Sequence, residues 1–464
     1  MRRWISRRAP RGERWFYAVL LANMVLGTSS VLIPLMLSRV LDRSVGALGL
    51  LSGLVSLVGV LGSLVWGRLS DAAHRRKPFV VGSYGIVGLC FLAMAFVPFF
   101  HHFLWVNMLM NFFWVANASV TVLIVIENRD KSAWEDKVGR LNQMGAIGWV
   151  LGLVLGSGAL ALGELLVPEE TAIRALFVFI ALGGLAASLT ASRSIPRTEP
   201  IYTERTFMGI VPALGTFLFE KLRFAPFHIY HRLKPKRVLA ALRDSNGFRT
   251  GTKRFLGATF ITFLGLGLFG IPLPLLLSEQ FGFSSSFVFA LFALQNLGVV
   301  FAFPMAAKRI KRRGNREVQI GVVGVRMLLF AATALFLALS GGPPKLPWLL
   351  LGFVIYGLSW SYLQLSGIAL ITRLARAENR GLALGLYNAL AGVGWVVAGL
   401  LSGWLAQSFG YAVAFGTSAG IMLLALAFLF TVPKPSAVPE QDGATESDSA
   451  GRQRLECEAT EPTG

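Results

Sequence analysis

Long apolar stretches alternate with short clusters of charged residues along the whole chain. Each stretch is long enough for a helix to cross a bilayer core, which takes roughly 20 residues. Lipid offers the backbone no hydrogen-bond partners, and the alternating segments typical of a β-barrel are absent, so we predict helices. The twelve predicted spans are 15–38, 46–66, 79–100, 103–126, 138–162, 172–192, 255–277, 285–307, 318–340, 346–372, 382–407 and 409–432.

The second six stretches repeat features of the first six. Trp149 recurs as Trp395, 246 residues later, inside a stretch of matching length. The proline-containing segment 33–38 returns in the same way at 273–278. Internal duplication of hydrophobic spans is typical of secondary transporters, whose substrate site lies between the repeats near the bilayer midplane. The repeat therefore indicates transport.

Composition and charge narrow the class of protein further. Hydrophobic residues make up 54% and charged residues 15% of the chain, a balance that no soluble core requires. Most of the 44 Lys and Arg fall at the termini and in alternate loops, whereas the opposite loops contain only Arg39, Arg43, Arg174 and Lys345. This asymmetry predicts a multi-pass protein of the plasma or inner membrane with both termini cytoplasmic. We then expect the net charge of +20 to anchor the protein against anionic lipid rather than to bind nucleic acid.

The charge clusters also divide the chain into segments. We predict a basic cytoplasmic N-terminus at 1–14, a six-helix bundle at 15–192, a cytoplasmic loop at 193–254, a second six-helix bundle at 255–432 and a disordered acidic tail at 433–464. Within the loop, 207–219 is apolar but too short to span a bilayer. We expect this segment to lie in the membrane interface as an amphipathic stretch.

The sequence offers little for enzymatic chemistry. It contains no H-E-x-x-H and no phosphate-binding loop. The five histidines are not accompanied by Cys, Asp or Glu at the spacing of metal ligands. We therefore expect no enzyme activity, no metal and no cofactor, and a monomer whose partners are a small-molecule substrate and the bilayer.

A short motif separates the second and third stretches. Gly67, Asp71, Arg75 and Arg76 fit the spacing G-x-L-[AS]-D-x-x-x-R-[RK]. The glycine allows two helix ends to approach closely, and an acid four residues before an arginine can hold them together. This segment resembles a loop of the major facilitator superfamily, which implies that the four residues form a gating loop. A turn that carries only positive charge is the alternative.

Glycines in the fifth stretch resemble those of antiporters in the same superfamily. Glycines four residues apart share one helix face and let the backbone of a neighbouring helix come close. The predicted packing glycines of the fifth and eleventh stretches are Gly139, Gly148, Gly152, Gly156, Gly385 and Gly394. The resemblance implies export, and tight packing without that meaning is the alternative.

Together these resemblances cover the whole chain and imply its fold. The implied fold is an all-α integral membrane protein with twelve transmembrane helices in two pseudo-symmetric six-helix bundles. In this fold the bundles rock about a central site and expose it to each side in turn. Spans 1, 4, 7 and 10 are expected to face the cavity.

Polar side chains inside the spans are the candidates for the substrate site, because an unsatisfied polar group in hydrocarbon is costly and usually faces the bundle interior. They are Thr28, Ser29, Asn107, Asn111, Asn117, Gln295, Asn296, Tyr356, Trp360 and Gln364. The last three follow one another at i+4 steps on one helix face and are the favoured contact surface. Hydrogen bonding between helices is the alternative for each residue. Such a lining fits neutral or weakly polar solutes and disfavours strongly cationic ones.

Ionisable residues inside the spans are few. We expect Arg326 to be structural, by snorkelling or by pairing with a cytoplasmic acid, with anion binding as the alternative. No carboxylate lies in the middle of a span. Glu127 and Asp42, at span ends, are the candidates for proton coupling, and solvated end charges are the alternative.

These observations predict a secondary transporter that moves a small solute by alternating access, with efflux preferred over uptake. An uptake permease or uniporter for a neutral solute such as a sugar stays open. A non-transporting sensor on the same fold stays open as well.

Overall fold

A computed structural model of the protein describes residues 15–73, 77–126, 134–195, 250–340, 342–375 and 380–434. Within these ranges the chain is helical and contains no strand. The long helices belong to one compact unit that ends at Val432. Of the second unit, Pro433–Gly464, the described part is residues 433 and 434.

Long helices follow one another with short connections. In the first half they are α1 (Phe16–Leu35), α2 (Val45–Ala73), α3 (Lys77–Phe96), α4 (Phe100–Ile126), α5 (Trp134–Leu166) and α6 (Glu169–Ser194). In the second half they are α7 (Thr250–Gly270), α8 (Ser285–Arg313), α9 (Asn315–Leu339), α10 (Leu346–Leu374) and a long stretch at Arg380–Phe430.

The last stretch is two helices, because Gly410 breaks it with φ 83° and ψ 164°. Only glycine adopts such a backbone readily. We label the two parts α11 (380–409) and α12 (411–430). Ten helical stretches in the described ranges are long and apolar enough to span a membrane; the last of them contains two helices, and α4 with 27 residues is the twelfth. The predicted all-α fold is confirmed, and the number of helices is consistent with the twelve predicted spans.

α1 and α7 end in the same way, as the repeat in the sequence predicts. α1 continues directly into a π-helical turn, Met36–Val40. α7 is followed by a turn at 271–272, by the short helix Leu273–Leu275 and then by the equivalent π-helical turn, Leu276–Gln280. The amide that follows each turn donates to the carbonyl of the turn's first residue, at 2.9 and 3.0 Å. The next residue has a left-handed backbone in both halves, Asp42 with φ 48° and Gly282 with φ 67°.

Helix packing obeys the same pseudo-symmetry. In the first half α1 packs on α5, α2 on α4 and α3 on α6, and in the second half α7 packs on α11, α8 on α10 and α9 on α12. The halves meet where α2 packs on α11 and α5 packs on α8. The two contacts between halves are thus related by the same repeat.

The bundle has two ends that the contacts distinguish. At one end Trp15, before α1, packs with Ile195, after α6, and Arg254 near the start of α7 donates to the Thr431 carbonyl at 2.8 Å. We call this the terminal end, because the first and the last helix begin and end there. The other end, where α1 stops and α2 starts, is called the far end.

Several predicted features lie outside the described residues: Arg75, Arg76, Glu127, the loop at 196–249 and the tail from residue 435 onward. Gly67 and Asp71 lie near the end of α2, and Gly139 lies near the start of α5. The surroundings of these three side-chain positions are likewise outside the described part of the chain.

Candidate functional site

A cavity of about 290 Å³ lies between the two halves, at the lower end of the range for ligand pockets. Its polar lining comes from α1, α2 and α4: Ser29, Ser30, Ser52, Ser56 and Asn107. The same three helices supply most of its apolar lining, and the second half adds one residue of the turn after α7 and one of α11. The apolar lining residues are Ile33, Pro34, Leu48, Leu51, Val55 and Met110 from the first half and Ile271 and Trp395 from the second. None of the lining residues is charged.

The polar groups of this cavity leave hydrogen-bonding capacity for a ligand. Asn107 is 1% exposed, and its Nδ2 finds no acceptor among the residues that the structure describes. The Ser29 and Ser30 hydroxyls donate to carbonyls of their own helix, at 2.9 and 2.7 Å, which leaves their oxygen lone pairs as acceptors. Because an unpaired buried donor is unfavourable, a solute with an acceptor group would relieve the Asn107 amide.

Three of the other predicted cavity residues connect or stabilise helices. Thr28 donates from α1 to the Gly152 carbonyl of α5 at 2.8 Å. Asn111 donates from α4 to the Val55 carbonyl of α2 at 2.7 Å. Asn296 donates to a carbonyl one turn earlier in α8, at 2.9 Å. These three side chains do not line the cavity.

Asn117 and Gln295 also lie away from the cavity lining. Asn117 is buried and Gln295 is half-buried. Each has a side-chain oxygen that accepts from no described donor, Oδ1 of Asn117 and Oε1 of Gln295. They lie in α4 and in α8, one in each half. Both oxygens can accept a hydrogen bond that the described residues do not supply.

The predicted contact surface on α10 is divided. Tyr356 and Trp360 face Arg326 of α9, whose guanidinium carbon lies 4.7 Å from the first ring centroid and 5.5 Å from the second. Gln364, one turn further on, is exposed. The expected snorkelling of Arg326 does not occur, since its side chain stacks on two aromatic rings and is only 1% exposed.

Sequence reasoning missed Ser52, Ser56 and Trp395. The two serines lie four residues apart in α2, so the i+4 spacing that singled out Tyr356, Trp360 and Gln364 applies to them equally. Trp395 stood out only as the repeat of Trp149, and its position in the cavity wall depends on how α11 is rotated. Nothing in the spacing fixes that rotation.

Arg39 connects the two halves at the far end, next to the cavity. It extends from the π-helical turn after α1 and donates to the Ser278 carbonyl at 2.9 Å and to the Phe283 carbonyl at 3.4 Å. Its Nε also lies 3.7 Å from a carboxylate oxygen of Glu169 in α6. One cation therefore joins the equivalent ends of α1 and α7.

Further polar contacts close the same end. Ser285 of the second half donates to Glu169 at 2.5 Å, and Ser157 of the first half donates to the Ser286 carbonyl at 2.9 Å. On the opposite side of the interface Ser44 donates to Gln407 at 3.2 Å. The described side-chain hydrogen bonds between the halves all lie at the far end, so this end is closed in the present conformation.

Several of the predicted packing glycines lie against other helices. A methyl group at Gly148 or Gly152 would overlap backbone carbonyls of α1, and one at Gly156 would overlap a phenylalanine ring of α8. Gly394 lies against the backbone of α7, whereas no described residue comes within 4 Å of a methyl group placed at Gly385. The glycine stripe of α5, Gly148, Gly152 and Gly156, thus allows α5 to pack closely both on α1 and on α8 of the second half.

Acidic and metal-ligating groups contribute little to the described site. Asp42 lies at the far end, in the turn after α1, and does not line the cavity. In the part of the chain that the structure describes, no group of three His, Cys, Asp or Glu is placed to hold a metal ion. The site offers a solute uncharged hydrogen-bonding groups and one aromatic face.

Comparison with known families agrees with this geometry. The family model of the Major Facilitator Superfamily matches residues 15–240 and 255–457. The chain belongs to the Major Facilitator Superfamily. The resemblance seen in the loop motif and in the repeat is thereby confirmed.

Several solved structures share the fold of this superfamily member. The nucleoside transporter NupG is 15% identical, with 91% of this chain and 99% of that chain covered and a TM-score of 0.63. A bacterial homologue of the human lysosomal transporter Spinster, in an inward-facing and occupied conformation, is 14% identical, with 90% and 95% covered and a TM-score of 0.67. The human organic anion transporter MFSD10 is 18% identical, with 90% and 100% covered and a TM-score of 0.58. The comparison with curated proteins gives no match.

Proposed function

We propose that this secondary transporter moves a small solute across the cell membrane by alternating access, with the cavity between the halves as its binding site. The observation that carries the proposal is the position of the cavity beside a far end that hydrogen bonds between the halves hold closed. These contacts are polar and few, so rocking of the two bundles can exchange them for water.

The lining supports a solute with hydrogen-bonding groups and no strong positive charge. Asn107 and the serines present donors and acceptors, and no carboxylate lies in the wall to hold a cation. NupG is a nucleoside transporter and MFSD10 an organic anion transporter. Both classes of solute therefore belong in a ligand screen, together with sugars.

We propose efflux as the direction, with both termini in the cytoplasm. Basic residues near the terminal end support this orientation, among them Arg193, Arg254 and Arg313. The glycine stripe of α5 supports efflux through its likeness to antiporters. Flux in vesicles of known orientation tests the direction, and entry of solute from the far end alone would contradict it.

The binding site is tested with the purified full chain in detergent. A nucleoside, sugar or carboxylate that binds the folded protein raises its melting temperature. We expect Asn107→Ala and Ser29→Ala to reduce that rise. Ser83→Ala is the matched control for Ser29→Ala, because Ser83 also donates to a carbonyl of its own helix, at 3.0 Å, but does not line the cavity. Equal losses in all three variants would contradict the assignment of the site.

Transport itself is tested by counterflow of the stabilising compound in proteoliposomes. We expect flux in the wild type and little in Asn107→Ala. Binding without flux would indicate the non-transporting sensor. Proton coupling through Asp42 or Glu127 predicts that an imposed pH gradient drives flux in the wild type but not in Asp42→Asn or Glu127→Gln, respectively.

A further inference from the structure

A buried cation lies in the second half, outside the cavity lining. Arg326 of α9 is 1% exposed. Its Nη2 donates to the Tyr356 carbonyl at 3.1 Å, while Nε and Nη1 have no acceptor. Two of its three guanidinium nitrogens therefore carry hydrogen-bond donors that the described protein leaves unused.

The described residues do not balance the charge of this side chain. The ion pairs in the described part of the chain involve Arg39, Arg174 and Arg316, and none includes Arg326. Stacking on Tyr356 and Trp360 provides cation–π attraction to the faces of the guanidinium but no negative charge. Because an arginine stays protonated and an unpaired charge in the membrane is costly, such a residue is a candidate for function.

The repeat shows that the scaffold does not need this charge. Trp360 of α10 is the counterpart of Trp114 of α4, 246 residues earlier. Trp114 packs on a neutral side chain of α3, with the Tyr84 ring centroid 6.3 Å away. The first half thus fills the space between the corresponding pair of helices with a phenol, and the second half fills it with a guanidinium.

Tyr356 separates the guanidinium from the cavity wall. A methyl group on Gly270 would lie 3.1 Å from the Tyr356 hydroxyl oxygen and 3.8 Å from the Trp395 ring. Trp395 lines the cavity, as does Ile271, the residue after Gly270. Tyr356 therefore lies between Arg326 and these residues of the cavity wall.

We propose that Arg326, Tyr356 and Trp360 form a subsite for the carboxylate of a small organic anion, which is the class of solute that this transporter moves. The carboxylate supplies the countercharge and accepts from the free guanidinium nitrogens, since charge-assisted hydrogen bonds of this kind are the strong ones. Its uncharged part occupies the space beside Asn107. This inference rests on the proposed function.

The test compares carboxylates with their uncharged amides. The melting temperature of the purified full chain is measured at constant ionic strength with benzoate, nicotinate and lactate, and with benzamide, nicotinamide and lactamide. We expect at least one acid to stabilise the wild type and its amide to do so much less. Arg326→Gln should weaken binding of that acid about tenfold or more and leave the amide unchanged. Tyr84→Phe, at the equivalent place in the first half, should change neither.

Absence of any preference for acids in the wild type would overturn the proposal, as would equal affinities in Arg326→Gln. If Arg326→Gln does not fold, Arg326→Lys decides, because lysine keeps the charge but loses the planar stack. Weaker acid binding with unchanged amide binding then supports the subsite, and unchanged acid binding overturns it. Since these are binding measurements, flux of an uncharged solute would leave the proposed function intact while the anion subsite fails.

Discussion

The two halves of the protein share backbone conformation at equivalent positions but differ in the side chains they carry there. After the π-helical turn, the left-handed position is Asp42 in the first half and Gly282 in the second. Asn111 of α4 donates to the Val55 carbonyl of α2. At the equivalent place in the second half Gly357 of α10 lies directly against a backbone carbonyl of α8. Backbone geometry was thus kept after duplication, whereas polar side chains diverged.

As a result, the two halves contribute different kinds of polar side chain. The first half supplies the uncharged polar lining of the cavity, including Ser29 and Asn107. The second half supplies the buried guanidinium of Arg326, where the first half has Tyr84. Under the two proposals above, an asymmetric solute would bind with its neutral part on the first bundle and its charge on the second.

The largest expected effect compares glycines of the repeated stripes in α5 and α11. Gly152→Ala should destabilise the protein by about 2 kcal/mol or more, because the methyl group would overlap the Met24 carbonyl of α1 and two backbones would have to separate. Gly385→Ala should be neutral or stabilising, since no atom lies near that position and alanine favours the helix. Thermal unfolding in detergent measures both, and similar losses at the two sites would contradict the packing described here.

The next effect concerns the two left-handed positions. Gly282→Ala should cost about 1 kcal/mol, because a Cβ is unfavourable at φ 67°. Asp42→Gly should keep or raise stability for the same reason. If Asp42→Gly destabilises the protein as much as Gly282→Ala does, the Asp42 side chain itself stabilises the fold, and the comparison of backbone conformations is not sufficient.

A smaller effect concerns the Arg39 contact between the halves. Arg39→Ala should open the far end and increase labelling of Ser30→Cys by an impermeant maleimide, by up to about tenfold for a partly exposed pair. Cys90 and Cys457 are replaced beforehand. Arg174→Ala is the control, because Arg174 pairs with Glu170 at 3.2 Å within the first half. Equal labelling in the two variants would show that Arg39 does not hold the halves together.

The smallest effect concerns the hydrogen bond of Asn111 between α4 and α2, because the equivalent position in the second half is Gly357, which has no side chain to donate. Asn111→Ala removes one hydrogen bond between helices, which should cost about 0.6 kcal/mol. Asn296→Ala is the comparison, because Asn296 donates within its own helix. Urea-dependent unfolding of the two variants measures the difference, and a loss of several kcal/mol in Asn111→Ala would point to a further role in the cavity.

Sequence alone predicted the spans, the repeat and the family, because these depend on the length of apolar stretches and on residues at fixed offsets. It did not predict which residues face the cavity. α4 and α10 are apolar nearly all round, so periodicity does not define a buried face. Consequently Tyr356 and Trp360 were correctly placed on one face, but that face turns toward Arg326 rather than toward Ser29 and Asn107.

Arg326 illustrates the same limit for charged residues. Its position inside a span was clear from the sequence, but the stack with two aromatic rings depends on the rotation of α9 against α10. The far-end contacts of Arg39 were equally hidden, since two of its acceptors are backbone carbonyls of the other half. Contacts between side chain and distant backbone leave no pattern in a single sequence.

Locking the far end tests alternating access most directly. Ser157→Cys with Ser286→Cys, in a chain without Cys90 and Cys457, places a disulfide across α5 and α8 where the two residues already touch. The control pair, Val81→Cys with Ser188→Cys, joins α3 and α6 within the first half, where Ser188 donates to the Val81 carbonyl at 2.8 Å. We predict that oxidation abolishes counterflow only in the first pair, that reduction restores it, and that the ligand still raises the melting temperature of the locked protein. Undiminished flux through the locked protein would contradict the account.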